Sequence, residues 1–379
     1  MIVFLLLLAL GCSKKESGFE IHDRVPSSGE AFSAALEQTV GAPLRPGHRV
    51  QLHENGKVFD SLLEAIGQAR ETVHAEMYIW TKGKASDRVL DAIAGRKAKG
   101  VACRILVDAL GTASLDDELR RRFSASGCEL RVFRPLDGPG KAARDHRKIF
   151  VIDGRTGFTG GFGVDDRWLG GGRADDEWRD IGVGVEGEAV NDMQESFAEH
   201  WQEAGGTMLP PSCFPRHYAP GEVRAAFVRS DASPVVTRAE RLSQLAIAAA
   251  HKRLWIENAY FVPSKAVLEL LGKRASEGVD VRVVTAGRKS DSKLAFLFAQ
   301  RDYRPLLEAG VKVWEYQPSM LHAKTMLVDD KLVIIGSVNL DPLSLNELEE
   351  GALVVEDAAS AAQLARDFEA DMAQSKQQR

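Results

Sequence analysis

One pattern constrains this chain more than any other: H-x-K-x4-D-x6-G occurs twice. The first copy lies in DHRKIFVIDGRTGFTGGFG and sets out His146, Lys148 and Asp153. The second lies in LHAKTMLVDDKLVIIGSVNLD and sets out His322, Lys324 and Asp329, followed by Ser337 and Asn339. Each copy alternates apolar residues about a turn, as a two-stranded hairpin does. Side chains i and i+2 of a strand share a face, so each His projects beside its Lys. The returning strand brings Ser337 and Asn339 back to the His end of the second hairpin. Gly161 and Gly163 hold those places in the first.

The order of elements before each hairpin is also repeated. DSLLEAIGQARE, TVHAEMYIW, SDRVLDAIAGRKAKG, VACRILVDAL, SLDDELRRRFSASG and CELRVFRPL read as alternating helices and strands. RAERLSQLAIAAAHK, RLWIENAYFV, SKAVLELLGKRASEG, VDVRVVTA, AFLFAQRDYRPLLEAG and VKVWEY repeat the alternation. The period is too long for a solenoid, so the pattern predicts a duplicated α/β domain. HRVQLHENGKVF reads as two short strands about an Asn-Gly turn. The Pro-rich LPPSCFPRHYAPG marks the boundary between the halves.

The chain has 379 residues, 44% of them apolar, enough for two cores. Its net charge of −5 provides no basic excess for coating nucleic acid. MIVFLLLLALGC is apolar but too short to span a bilayer, which takes about 20 residues. It resembles a lipoprotein signal in which Cys12 is lipidated and becomes the first mature residue; the alternative is a truncated membrane anchor. Cys103, Cys128 and Cys213 read as buried free thiols, with a Cys103–Cys128 disulfide the alternative in an exported chain. No Cys/His cluster has zinc spacing, and no carboxylate cluster suited to a metal is visible.

Two His and two Lys in one place suit phosphoryl chemistry. The lysines supply positive charge to phosphate oxygens. One imidazole attacks phosphorus while the other protonates the leaving oxygen and then deprotonates the incoming alcohol or water. No metal or other cofactor is called for.

On these residues the chain resembles the phospholipase D superfamily, whose signature is H-x-K-x4-D-x6-G-S-x-N. HRKIFVIDGRTGFTGGFGVDDRWLG and LHAKTMLVDDKLVIIGSVNLDPLSLNELEEG resemble bacterial cardiolipin synthases within it. So do AEMYIW (Glu76), EWRDIGVGVEG (Trp178, Arg179, Asp180) and WIENAYFVP (Glu257, Tyr260, Pro263). The resemblance implies an α/β fold of two duplicated phospholipase D-like domains. Each would be a mostly parallel mixed sheet flanked by helices, with the active site at the pseudo-twofold interface. The expected division is a signal over 1–12, a polar tether over 13–46, domains over 47–209 and 223–379, and a linker over 210–222.

The resemblance further implies a phosphohistidine intermediate, with His146 as nucleophile and His322 as acid/base. Lys148, Lys324, Ser337 and Asn339 would bind the phosphate, and Asp153 and Asp329 would complete the catalytic motifs. Glu347 or Glu349 would correspond to a family acidic residue. Gly161 stands where the general signature has Ser, and Gly163 where it has Asn. The lost Asn is a lost phosphate donor, worth on the order of 10²-fold in rate.

The implied function is phosphatidyl transfer of the cardiolipin synthase type, with phosphatidylglycerol as donor and acceptor. The alternatives are phospholipid hydrolysis, nuclease activity and a degenerate binding protein. The implied partner is phospholipid in a membrane, not nucleic acid, and one chain suffices to build the site. The implied location is the cell envelope, lipid-anchored, or peripheral on the cytoplasmic membrane.

Overall fold

A computed structural model of the chain describes residues 18–113, 115–136, 143–215 and 218–379. After helix α1 (Gly29–Val40) the first half runs β1 (Arg45–Glu54), α2 (Lys57–Gln68), β2 (Thr72–Met77), α3 (Lys84–Lys97), β3 (Ala102–Asp108), α4 (Asp117–Ser126) and β4 (Glu129–Phe133). The motif hairpin is β5 (Lys148–Ile152) and β6 (Thr156–Gly160), followed by β7 (Trp178–Arg179), β8 (Ile181–Glu186) and α5 (Ala189–Glu203). The second half repeats this as β9 (Val223–Ser230), α6 (Arg238–Ala248), β10 (Arg253–Asn258), α7 (Lys265–Ser276), β11 (Asp280–Ala286), α8 (Lys293–Glu308) and β12 (Lys312–Tyr316). Its hairpin is β14 (Lys324–Val328) and β15 (Leu332–Gly336), preceded by β13 (Met320–Leu321). Then come α9 (Pro342–Asn346), β16 (Glu350–Glu356), α10 (Ala358–Ala373) and β17 (Ser375–Gln377).

Fifteen strands form one continuous sheet, in the order β17-β12-β11-β10-β14-β15-β16-β9-β1-β8-β6-β5-β2-β3-β4. The halves meet edge to edge through the antiparallel pair β1 and β9. Each half-sheet is mixed. β2, β3 and β4 run parallel, as do β10, β11 and β12. The hairpins and their neighbours pair antiparallel. Parallel strands need a helical crossover, and the repeated strand–helix alternation supplies it only before each hairpin. The short β13 and β7 also pair, in parallel, and tie the halves together beside His322.

Three local expectations are corrected. The Asn-Gly turn of HRVQLHENGKVF does not make a hairpin: it leads from β1 straight into α2, whose apolar Val58, Phe59, Leu62 and Ile66 recur at helical spacing and are buried. The tether reading does not describe residues 18–46. Phe32, Leu36 and Val40 of α1 are buried in the core of the second half, and Arg24 pairs with Glu277 at the end of α7. Cys103 and Cys128 are not free thiols but a disulfide, while Cys213 is buried and free. The register explains the bond. Arg104 of β3 faces Glu129 of β4, so the residues just before them lie side by side. Cys12 lies outside the described residues. No helix among those described is long and apolar enough to cross a membrane.

Candidate active site

The reacting end of each hairpin lies at the carboxyl end of the parallel strand it pairs with. Lys148 faces Met77 at the carboxyl end of β2, and Lys324 faces Asn258 at the carboxyl end of β10. His146, Lys148, His322 and Lys324 are all buried, between 1% and 6% exposed. Each lysine ammonium donates to the carbonyl of its own histidine at 2.5 Å, which fixes both ammoniums at the His end. Each histidine feels the charge of both lysines, so the two motifs form one site. Tyr78 lies edge-on to the His146 ring at 4.9 Å, and Trp178 and Trp168 flank His322 at 4.8 and 5.3 Å.

The histidines are oriented crosswise. His146 Nδ1 lies 2.9 Å from Glu350 Oε1, on the second half. His322 Nδ1 lies 3.0 Å from Asp180 Oδ2, on the first half. In each pair the carboxylate engages Nδ1 and leaves Nε2 for chemistry. Sequence reasoning offered Glu347 or Glu349 for the acidic role, and the structure corrects this to Glu350. Neighbouring residues at a strand start point to opposite faces, so Glu349 turns away to Arg134 and His200. Aligning the repeats would have found Glu350: it precedes GALVVE as Asp180 precedes IGVGVE.

Asp153 and Asp329, grouped by sequence with the catalytic residues, lie at the other end of their hairpins. That is five residues along a strand from each Lys, about 17 Å. Both adopt positive φ, at 54° and 50°, in the turn. The Asp153 carboxylate accepts from the backbone N–H groups of Arg70, Glu71 and Thr72, and Asp329 from those of His251, Lys252 and Arg253. They anchor each turn to the start of β2 or β10. Ser337 reaches Glu350 with its hydroxyl. Asn339 is buried, and its Oδ1 has no hydrogen-bond partner among the described residues.

The two glycines of the first motif sit in tight spaces. A Cβ on Gly161 would lie 2.6 Å from Asp180 Oδ2, and one on Gly163 would lie 2.9 Å from Ile79 Cβ. The site has closed around the missing side chains.

Burial, reinforced by both lysines, holds His146 and His322 well below the ordinary imidazole range, so a neutral imidazole is available to attack, while its partner acts as an acid only once it is protonated beside its carboxylate. Burial also pushes Lys148 down to about 7 and Lys324 to about 8. It pushes Glu350 up to about 8 against the pull of Lys148, and Asp180 up to about 6 against that of Lys324. An anion between the lysines reverses the cost of their burial.

The fold also assembles carboxylate clusters that the sequence did not reveal: Glu76, Asp145 and His200, and His200, Asp231 and Glu349. Cations of the chain already serve them. Arg147 is fully buried beside Glu76 and Asp231, and Arg134 pairs with Glu349. Burial and Arg147 oppose a charged His200, but Glu76, Asp145 and Glu349 outweigh them and raise its pKa. A protonated imidazole has no lone pair for a metal, so the donor set reads as an ion-pair network.

A fold of two such halves, each lending a carboxylate to the other's histidine, defines a phospholipase D-like enzyme. The family model described as "Cardiolipin synthase, PLD-like domain" matches residues 62–201 and 245–372, and the chain belongs to that family. Cardiolipin synthase 1 of Bacillus anthracis is 32% identical over 368 residues, covering 93% of this chain and 72% of the relative. Cardiolipin synthase A of Pseudomonas aeruginosa is 33% identical over 353 residues, covering 92% and 72%. The crystal structure of phosphatidylserine synthase from Haemophilus influenzae shares the fold, with a TM-score of 0.69, 15% identity and 91% of each chain covered.

Proposed function

We propose that this protein transfers a phosphatidyl group from one phosphatidylglycerol to a hydroxyl of another, giving cardiolipin and glycerol. The observation that supports it most is the pair of buried His–Lys hairpins with crossed carboxylates, in a chain of the cardiolipin synthase family. In the first step Nε2 of His146 attacks phosphorus. The P–O bond to the headgroup glycerol breaks, and that oxygen takes a proton from His322. In the second, neutral His322 takes the proton of the incoming hydroxyl, whose oxygen displaces His146. Lys148, Lys324 and Asn339 hold the phosphate oxygens throughout. Asp180 stabilises the imidazolium of His322 whenever it forms. Asp153 and Asp329 keep each hairpin in place, and Ser337 acts through Glu350.

The same reading places the enzyme at a membrane, attached through a lipidated Cys12 in the cell envelope. The Cys103–Cys128 disulfide supports export, because such bonds persist in oxidising compartments. Because α1 and the segment before it pack on the second half, an anchor at Cys12 would keep the site near the lipid surface.

The test is incubation of the full chain with phosphatidylglycerol in detergent micelles, with products read by mass spectrometry. Cardiolipin and glycerol in equal amounts, both lost in His146→Ala, are the expected result. Phosphatidic acid and glycerol without cardiolipin would make it a hydrolase. No turnover of any phospholipid would overturn the reading.

A further inference from the structure

The two His–carboxylate pairs are built from different donors. Glu350 is held by the hydroxyls of Ser337 and Ser344, one on each oxygen. Asp180 is held by the indole N–H of Trp168 on Oδ2 and by the backbone N–H of Ile181 on Oδ1, both at 2.8 Å. Trp168 and Ser344 occupy the same place in the repeat. Asp165 caps the turn Asp166–Trp168 and Asp341 caps α9, and each donor is the third residue after its cap. Gly161, where the second half has Ser337, leaves no room for a hydroxyl beside Asp180.

The difference has a chemical consequence. A serine hydroxyl can donate or accept, so its carboxyl partner is free to carry a proton. An indole and a backbone amide only donate, so a protonated Asp180 would lose one of its partners. The N–H groups therefore favour Asp180 as a carboxylate.

We propose that Trp168 is a positioning residue: its indole N–H keeps Asp180 ionised and so sets the proton affinity of His322, the acid/base. This rests on the phosphatidyl-transfer reading for its role, but not for its test. Asp180 is faced by His322, Lys324, Lys148 and Arg179, and His322 also by His146 and Arg167. None of these groups is altered by removing the indole N–H. Without that donor the Asp180–His322 pair takes up a proton more readily, so its apparent pKa rises. A hydrogen bond to a charged group corresponds to a shift of about one pH unit or more.

The experiment replaces Trp168 with 3-benzothienylalanine, which keeps the shape and lacks the N–H, and with Phe (Trp168→Phe) as a second variant. Nitrogen-15 NMR of the histidine rings follows both pairs through a pH titration of the full chain without substrate. The expected result is an upward shift of about one unit for the His322 pair and a smaller one for His146. Because His322 must be protonated to act as the acid of the first step, the alkaline limb of kcat/KM on phosphatidylglycerol micelles should move the same way. An unmoved His322 pair in a folded benzothienyl variant would overturn the proposal, as would equal movement of both pairs. The NMR arm needs no turnover, so its failure is distinct from failure to find cardiolipin.

Discussion

His146 and Glu350 stand 204 residues apart in sequence and meet at 2.9 Å. The reciprocal pair, His322 and Asp180, meets at 3.0 Å. Neither half therefore contains a complete catalytic pair. The short pairing of β13 with β7 places His322 against Asp180, and β16 carries Glu350 to His146. Duplication has made one site out of two incomplete ones.

Glu350→Gln should cost about 10³- to 10⁴-fold in kcat with little change in Tm. The amide is isosteric, but its NH2 group can donate to Nδ1 and impose the wrong tautomer on His146, as loss of the orienting carboxylate does in a serine protease triad. Steady-state kinetics alongside a thermal melt would check it. A loss under tenfold would mean that Glu350 does not orient the ring.

Gly163→Asn restores the signature residue on paper and should nonetheless lower activity and stability. The new Cβ would start 2.9 Å from Ile79 Cβ and 3.1 Å from the Trp168 ring, both in packed positions. Overpacking of this kind costs about 1–3 kcal/mol. Chemical denaturation of the variant measures that cost. A variant as stable as the parent and faster in turnover would show that the space opens readily.

The parts of this site legible in the sequence are those with short-range spacing. His146 and Lys148 share a strand face by period, and the repeat alone identifies His322 and Lys324 as their counterparts. What escaped were partners set by tertiary approach. Glu350 was missed because strand alternation, not proximity in sequence, decides whether it or Glu349 faces the histidine. Trp168 was missed because its role depends on the cramped space at Gly161. The Cys103–Cys128 bond was the sequence's alternative to free thiols, and only the register of β3 against β4 decides for it; α1 looked like part of a tether because its apolar face is completed by the second half.

Reducing the Cys103–Cys128 bond should destabilise the first half without touching the chemistry. The bond closes a segment of 25 residues, and loops of that size correspond to about 3 kcal/mol. Cys103→Ser with Cys128→Ser should lower the denaturation midpoint of the purified chain and leave kcat near its original value at 20 °C. Full loss of activity in a folded double variant would instead tie the disulfide to the site.

The lysines make the pH dependence informative. In the free enzyme Lys148 is pushed down to about 7 and Lys324 to about 8, in both cases chiefly by burial. As pH rises through that range the free enzyme loses the positive charge that attracts a phosphodiester. kcat/KM, which reports the free enzyme, should therefore fall on its alkaline side between about pH 7 and 8. Once bound, the phosphate anion favours the charged form of both lysines and raises their pKa values. kcat, which reports the complex, should hold to higher pH, with its alkaline limb displaced upward by about one unit or more. Lys324→Arg, whose guanidinium stays charged, should remove the part of the alkaline fall in kcat/KM near pH 8 and leave the part near pH 7 that Lys148 sets, even if its geometry slows the chemistry. Profiles of both parameters on phosphatidylglycerol micelles between pH 5 and 10 decide the matter. Coincident alkaline limbs for kcat and kcat/KM would show that the lysines do not titrate in the free enzyme, and that their charge is already secured by Glu350 and Asp180.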